Sequence, residues 1–405
     1  EHHEEEEHDE EEEHEEHAPT VFMNEAVEYG ATFDISNDSS TQKVVVNFVD
    51  EDNSIVGEEA FMNPANSKEF TIGYYLSKDL GIYDLDIGFR HDQIERSGSV
   101  SEEEHGDHHD DDHGDEHGDE HGEVDYYNID DSTNSFAVTL GRSLTDNLGV
   151  SLGYASVERL PSSIELFMNG PHMATGRFEV GDPNLNSETS NNFDITFNFD
   201  NGDFYAYASF YITDVDNYIA LIDEEDHMDE DEHHEDEDEH HEDEHDDHGH
   251  GNLIHANYMQ EDAEFDGYEI EFGKSFDLGS GELALSFGRD VVNAEFTDGH
   301  NVPRINPARN IYSLVYTQDD LLFKLMLKDV EKQNDFGEGE TATDSYQMLN
   351  TRLTKTFNAI GNGELKVSLF ANNLLDEVAR NHSSFVKDEV PLPGRNYGLK
   401  FNLTF

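Results

Sequence analysis

Residues 396–405 read NYGLKFNLTF. Tyr397, Leu399, Phe401, Leu403 and Phe405 alternate with Gly398, Lys400, Asn402 and Thr404. A strand sends successive side chains to opposite faces, so this stretch has one apolar face and one polar face. The same period of two recurs upstream. In IYDLDIGFR (82–90), Tyr83, Leu85, Ile87 and Phe89 alternate with Asp84, Asp86, Gly88 and Arg90. In 364–369, Leu365, Val367 and Leu369 alternate with Glu364, Lys366 and Ser368. No stretch carries a convincing helical period, and the chain reads as all-β.

The connections sort into two kinds. Tight turns rich in Gly, Asn and Asp lie near 78–81, 145–149, 200–203, 277–282, 317–320 and 358–363. Those residue types suit hairpin geometry. Between them lie long connections, near 97–131, 159–189, 223–255, 297–309, 332–345 and 375–394. Short and long in strict alternation is the pattern of a transmembrane up-and-down antiparallel barrel with one trimmed rim and one elaborated rim. The intervening stretches give about 15 strands, several longer than the five or six residues usual in soluble sheets. They lie near 21–35, 42–50, 70–77, 82–96, 132–143, 148–158, 190–200, 203–222, 256–276, 281–296, 310–317, 320–331, 346–357, 364–373 and 395–405. Tyr74, Tyr75, Tyr126, Tyr127 and Tyr397 sit at strand ends, where membrane barrels carry aromatic girdles. The alternative for the same alternation is a soluble sandwich. Single-chain bacterial barrels have even strand numbers. An odd count, with Glu1 rather than Met first, leads us to expect upstream strands and a processed or trimmed chain.

Three runs stand apart: 1–17, about 102–123 and about 223–250. They hold 19 of the 24 histidines and 42 of the 95 acids, without one Lys or Arg. Acidity alone would mean a solvated loop. Neutral imidazole beside carboxylate is instead the donor set of borderline divalent cations, namely Zn²⁺, Ni²⁺, Co²⁺ and Cu²⁺. The second and third runs fall in long connections, and the first precedes a strand with the same parity. All three therefore belong on one rim. The chain divides into a His/acid-rich segment, 1–17, and a barrel, 18–405.

Composition removes other classes. The formal charge is −73. No basic patch exists to neutralise phosphates, which excludes nucleic acid as a partner. Cysteine is absent, so thiolate zinc sites, disulfides and iron–sulfur clusters are excluded. No apolar run reaches the roughly 18 residues of a membrane helix. No nucleophile–base grouping or phosphate loop stands out, so an enzyme is not expected. No obligatory cofactor is expected either, only a captured cation.

Several segments resemble a known family. The C-terminal alternation ending in Phe405 is similar to the assembly signal of outer-membrane barrels. FANNLLDEVARNHSSF (370–385) followed by PLPGRNYGLKFNLTF (391–405) resembles the ending of TonB-dependent outer-membrane receptors. YASVERLPSSIELFMNGPHMATGRFEVGDPNLNSETSNNFDI (154–195) is similar to their R-x-P-S-x-x-E-L-F loop. Within it Gly170 to Gly181, like VPRINPAR (302–309), resembles the zinc-uptake branch. The resemblance implies a barrel of about 22 strands around a plug. It places the first strand here eighth, descending from the extracellular rim. It also implies a Gram-negative outer-membrane setting, lipid contact, a monomer, and a TonB complex engaged through a plug that this chain lacks.

Candidate metal ligands are of two kinds. His172, in the family-like loop, is the sharpest, followed by His255 at the end of the third run and His300 in TDGHN. The others are run histidines: His105, His108, His109, His113, His117 and His121 in the second, and His233, His234, His240, His241, His245, His248 and His250 in the third. His91 and His382 read as ordinary barrel or loop residues. Arg159, Glu165 and Glu188 read as ion pairs that fix a loop. The expected function is capture and uptake of a divalent metal ion, zinc first. The alternatives are a siderophore or metallophore receptor of the same fold, a non-transporting surface metal-binding barrel, and a soluble acidic metal buffer. Replacing the run histidines with Gln should lower the number of Zn²⁺ bound in calorimetry while the barrel still folds. Binding should also weaken as pH falls through about 6.5, because protonated imidazole cannot ligate.

Overall fold

The structure is a computed structural model and describes residues 19–57, 60–101, 124–224, 253–358 and 363–405. Its strands form one sheet of 17. Fifteen make a continuous antiparallel meander. They are β1 (Val21–Asp34), β2 (Thr41–Val56), β3 (Ala65–Asp79), β4 (Asp84–Ser101), β5 (Val124–Thr145), β6 (Leu148–Arg159), then β9 (Glu188–Asp200), β10 (Phe204–Asp223), β11 (Ile254–Asp277), β12 (Glu282–Phe296), β13 (Arg309–Gln318), β14 (Leu321–Val330), β15 (Tyr346–Asn358), β16 (Glu364–Asn372) and β17 (Asn396–Thr404). Among the described residues β1 pairs only with β2, and β17 only with β16.

All the expected strands are present, and several run further. The strand expected over 132–143 starts at Val124, and that expected over 70–77 starts at Ala65. These extensions are polar at both parities, as suits a strand continuing past the hydrocarbon into water, so no alternation marked them. The connection at 159–189, expected as one loop, is corrected. It contains α1 (Ser163–Phe167) and a hairpin of β7 (Asn169–His172) and β8 (Arg177–Val180). Pieces of four or five residues are shorter than the window over which a period can be read. The helix start is nonetheless written locally. Ser162 Oγ accepts from the Glu165 amide, and Glu165 returns a bond to the Ser162 amide at 2.6 Å, a capping box.

Register separates the two faces of the wall. Leu283, Tyr316, Phe323, Leu353, Leu369 and Leu399 lie in one cross-strand row. The adjoining row on the other face is Glu282, Thr317, Leu322, Thr354, Ser368 and Lys400. The apolar row is open to the surroundings, with Leu353 at 41% and Leu369 at 54% exposure. Phe401 and Leu403 pair with Val367 and Leu365 on the same side. An apolar face left uncovered over a whole barrel wall is a lipid-facing surface. The polar row faces the lumen.

Because every neighbour in the meander is antiparallel, the short connections collect on one rim. They lie at 35–40, 80–83, 146–147, 201–203, 278–281, 319–320 and 359–363. The long connections occupy the other rim. The described ends of the second and third runs, Ser101 with Val124 and Glu224 with Leu253, belong to it, as does the start of β1. The runs themselves lie outside the described residues.

That rim is braced by charge. Asp223, at the end of β10, is 3% exposed. Arg177 holds it with two bonds, Nε to Oδ1 at 2.7 Å and Nη2 to Oδ2 at 2.5 Å. Arg304, from the β12–β13 connection, adds Nη2 to Oδ1 at 3.3 Å and donates to the Leu221 carbonyl at 2.5 Å. The Phe385 ring, from the β16–β17 connection, packs against both guanidiniums, with centroids 4.6 Å from Arg177 and 3.9 Å from Arg304. The Arg304 amide donates to Glu340 at 3.0 Å, which ties in the β14–β15 connection. Lys387 donates to the Thr341 carbonyl, and Thr343 Oγ1 lies 2.8 Å from Nδ1 of buried His382. Burial works against the Glu340 carboxylate. Hydrogen bonds from His382 and from the amides of Arg304 and Gly337 outweigh it and hold the carboxyl below its usual range. Burial pulls Arg304 and Lys387 down from their ordinary values.

Two predictions follow from this architecture. Leu353→Arg should destabilise the barrel by roughly 2–4 kcal/mol, the cost of a cation at mid-depth on a lipid face. It would be read as a lowered temperature for loss of heat-modifiable gel migration. Thr354→Arg, one residue on and lumenal, should stay near wild type. Asp223→Asn leaves two buried guanidiniums short of a counter-charge, a local loss of roughly 3–5 kcal/mol. It should speed amide exchange in 297–308 and 373–395 while β13 to β17 keep their protection.

Candidate functional site

The β7–β8 hairpin is positioned by close packing. A Cβ on Gly170 would lie 2.7 Å from Cα of Phe61, and one on Gly181 would lie 2.8 Å from the Leu166 carbonyl carbon. Only glycine allows those approaches. The Asn169 amide donates to the Phe61 carbonyl at 2.9 Å, and the Gly181 amide to the Met168 carbonyl at 2.7 Å. Below the hairpin, Phe61, Met62, Ala65, Leu166, Phe167 and Met168 form a buried cluster. Arg159 fixes the start of this connection, reaching Glu165 and Glu188, each at 2.9 Å. These are the loop-fixing pairs expected from the sequence.

His172 closes β7. Its Nδ1 lies 2.9 Å from Oε1 of Glu179, and Thr175 Oγ1 donates to the same oxygen at 2.6 Å. The imidazole stacks on Phe61, with centroids 4.4 Å apart. Glu179 is 2% exposed, and among the described residues its one ion-pair partner is His172. With Nδ1 engaged by a carboxylate, Nε2 is the nitrogen left for a ligand. Carboxylate–histidine–metal sites use that arrangement.

The other two candidates stand differently. β8 pairs in parallel with β11, so His172, Arg177 and Ile254 share one row and Pro171, Phe178 and His255 the next. Adjacent rows face opposite ways. His172 and His255 are therefore on opposite faces of this patch. His255 is exposed and stacks on Phe178 at 5.2 Å. His300 follows β12 and is gripped by Asp298. Nδ1 lies 2.7 Å from Oδ2, and the His300 amide donates to Oδ1 at 2.9 Å. Its own amide bond to His300 holds Asp298 below the usual carboxylate range. Among the described residues no three His, Asp or Glu side chains converge on one metal position. The run histidines, His105 to His121 and His233 to His250, lie outside the described residues. His91 is a barrel residue, 3.0 Å from Asn134. His382 is a buried brace of the rim.

Sequence reasoning did not single out Glu179, Asp223, Arg177 or Arg304. A signal existed for Glu179. If 172 and 177 close a tight hairpin, 179 lies two residues on and on the same face as His172. Nothing local marks Asp223, which sits within an acidic run.

A cavity of about 550 Å³ adjoins the hairpin. Phe22, Ile55, Phe61 and Ile164 supply its apolar wall, and Arg96 and Glu69 part of its polar wall. Phe61 thus carries His172 against its ring and also borders the cavity.

The sheet matches solved structures. It is similar to the copper transporter OprC, with 15% identity and a TM-score of 0.71 over 94% of this chain and 57% of that one. It is similar to the FrpB iron transporter from Neisseria meningitidis, with 13% identity and a TM-score of 0.59 over 94% and 54%. The ferric-catecholate import receptor Fiu from K12 E. coli matches with 14% identity and a TM-score of 0.59 over 94% and 54%. The chain therefore spans just over half the length of these structures, and at such identities they speak for the fold alone. The family model for the TonB dependent receptor-like β-barrel matches residues 18–374. On that match the chain belongs to the TonB-dependent receptor β-barrel family, whose barrels lie in the Gram-negative outer membrane.

Proposed function

We propose that the chain is the barrel portion of a receptor that takes up a divalent metal ion, with zinc first among the candidates. The observation that carries this reading is Glu179. A carboxylate 2% exposed normally has an Arg or Lys beside it. Asp92 and Asp223 do, at 2.7 Å from Arg90 and 2.5 Å from Arg177. Glu179 has only an imidazole and a hydroxyl among the described residues. Its charge is answered fully only when His172 carries a cation, and a metal on Nε2 supplies one.

Charge supports the same reading. At −73 the chain attracts cations and repels anionic chelates. The runs would raise the local concentration of the ion, and His172 with Glu179 would hold it more tightly. Many equivalent donor sets on a long segment bind weakly and exchange, because ordering each one costs chain entropy. A collector has to release what it collects, so weak sites suit the role. Energy coupling and the remaining ligand contacts would come from a plug engaging a TonB complex.

A second reading, uptake of a metal bound to a small organic chelator, is favoured by the apolar cavity beside Phe61. Its size suits a ligand pocket.

Calorimetry of the chain in detergent tests the first reading. His172→Ala and Glu179→Gln should each remove a tight Zn²⁺ phase and leave the weaker multi-site phase. Glu179→Gln should also raise the unfolding midpoint without metal, because a buried charge is gone, while abolishing the rise that zinc produces. A tight phase unchanged in both variants makes His172 a packing histidine and sinks the proposed site. Tight binding of a metal chelate but not of the bare ion would favour the second reading.

A further inference from the structure

We infer that His300, Glu261 and Glu338 form a second cation site, a transit station on the lumenal face beneath the third run. The inference rests on the proposed cation uptake and adds a route to it.

Register supplies the first argument. Ser286 pairs with Gly273 in the small, polar rows that face the lumen. Counting upward by twos, the same face of β11 carries Glu261, Met259, Asn257 and His255. His255 lies three residues beyond 225–252, the part of the third run outside the described residues. An imidazole, a thioether and a carboxylate thus descend in order from the end of the run.

The second argument is a cavity. A space of about 70 Å³ is lined by Met259, Glu261, His300 and Glu338, with Tyr218 and Phe296 behind them. That is room for an ion with one or two waters. The β12–β13 connection is held against β11 at this level, where the Thr297 amide donates to the Asp262 carbonyl at 2.9 Å.

The third argument is the state of His300. Asp298 holds its Nδ1 and its amide together, which fixes the ring and leaves Nε2 as the donor for a cation. His300 remains 76% exposed at the side chain, so water and ions reach it. The two carboxylates lining the cavity come from different elements, Glu261 from β11 and Glu338 from the β14–β15 connection. They do not converge with His300 into a closed three-ligand set. An open site completed by water binds weakly and releases readily, as a station between a collector and a tighter site must.

Histidine acylation by diethylpyrocarbonate, read residue by residue by mass spectrometry on the full chain in detergent, tests this. With Zn²⁺ at about ten times half-saturation, roughly a tenth of the site stays empty, so His300 should react about tenfold more slowly. Glu261→Gln combined with Glu338→Gln should abolish that protection while the run histidines and His172 stay protected. Unchanged heat-modifiable migration would confirm that the double variant is folded. Protection of His172 and of the runs without protection of His300 overturns the transit site alone. Protection of His300 that survives the double substitution overturns the assignment of its carboxylates. Zinc protection of no histidine anywhere removes the cation reading itself.

Discussion

Hydrocarbon offers a backbone N–H or C=O no partner, and the architecture follows from that constraint. Each polar group of a spanning strand must be paired with a neighbouring strand. A continuous antiparallel meander does this with the shortest connections. Because antiparallel neighbours alternate direction, turns and long connections are sorted to opposite rims without further instruction. The side chains answer the same constraint at right angles to it. Leu353, Leu369 and Leu399 line up toward lipid while Thr354, Ser368 and Lys400 line up toward water.

Above the membrane the constraint changes from backbone pairing to charge pairing. Asp223 sits where β10 ends and a strongly acidic run begins. Burying it requires compensation, and two guanidiniums from different connections supply it. Phe385 packs against both guanidiniums, so the ion pair also ties in the β16–β17 connection. The rim is thus organised around a single carboxylate, and the base of the third run is its anchor. Glu179 makes the contrast. It is equally buried, stands in the neighbouring hairpin, and has His172 where Asp223 has arginines. One carboxylate is satisfied by the fold. The other is satisfied in full only with an added cation.

The His/acid-rich segments and the folded donors answer different physical needs. The runs present many similar ligands and little geometry. The folded part presents few ligands, each oriented by a second residue: Glu179 orients His172, and Asp298 orients His300. A high concentration of weak donors at the rim and a few fixed donors along β11 and the hairpin make a gradient of affinity toward the lumen.

The amino-acid sequence by itself determined the strands, their number in the meander and the sorting of connections. Those depend on a period of two and on turn chemistry, both of which are local. It also marked His172, His255 and His300, because histidine outside the runs is scarce. Tertiary structure alone decided which of them have partners. The parallel pairing of β8 with β11 sets His172 and His255 on opposite faces, and no local pattern encodes a pairing between strands 77 residues apart. The same holds for Asp223, which reads as one acid among many in 223–250. Its burial comes from Arg177, Arg304 and Phe385, residues distant in sequence that meet only when the rim is assembled. Short-range alternation writes the wall of the barrel. The charge balance of the rim depends on contacts between distant segments, and only the folded chain brings those together.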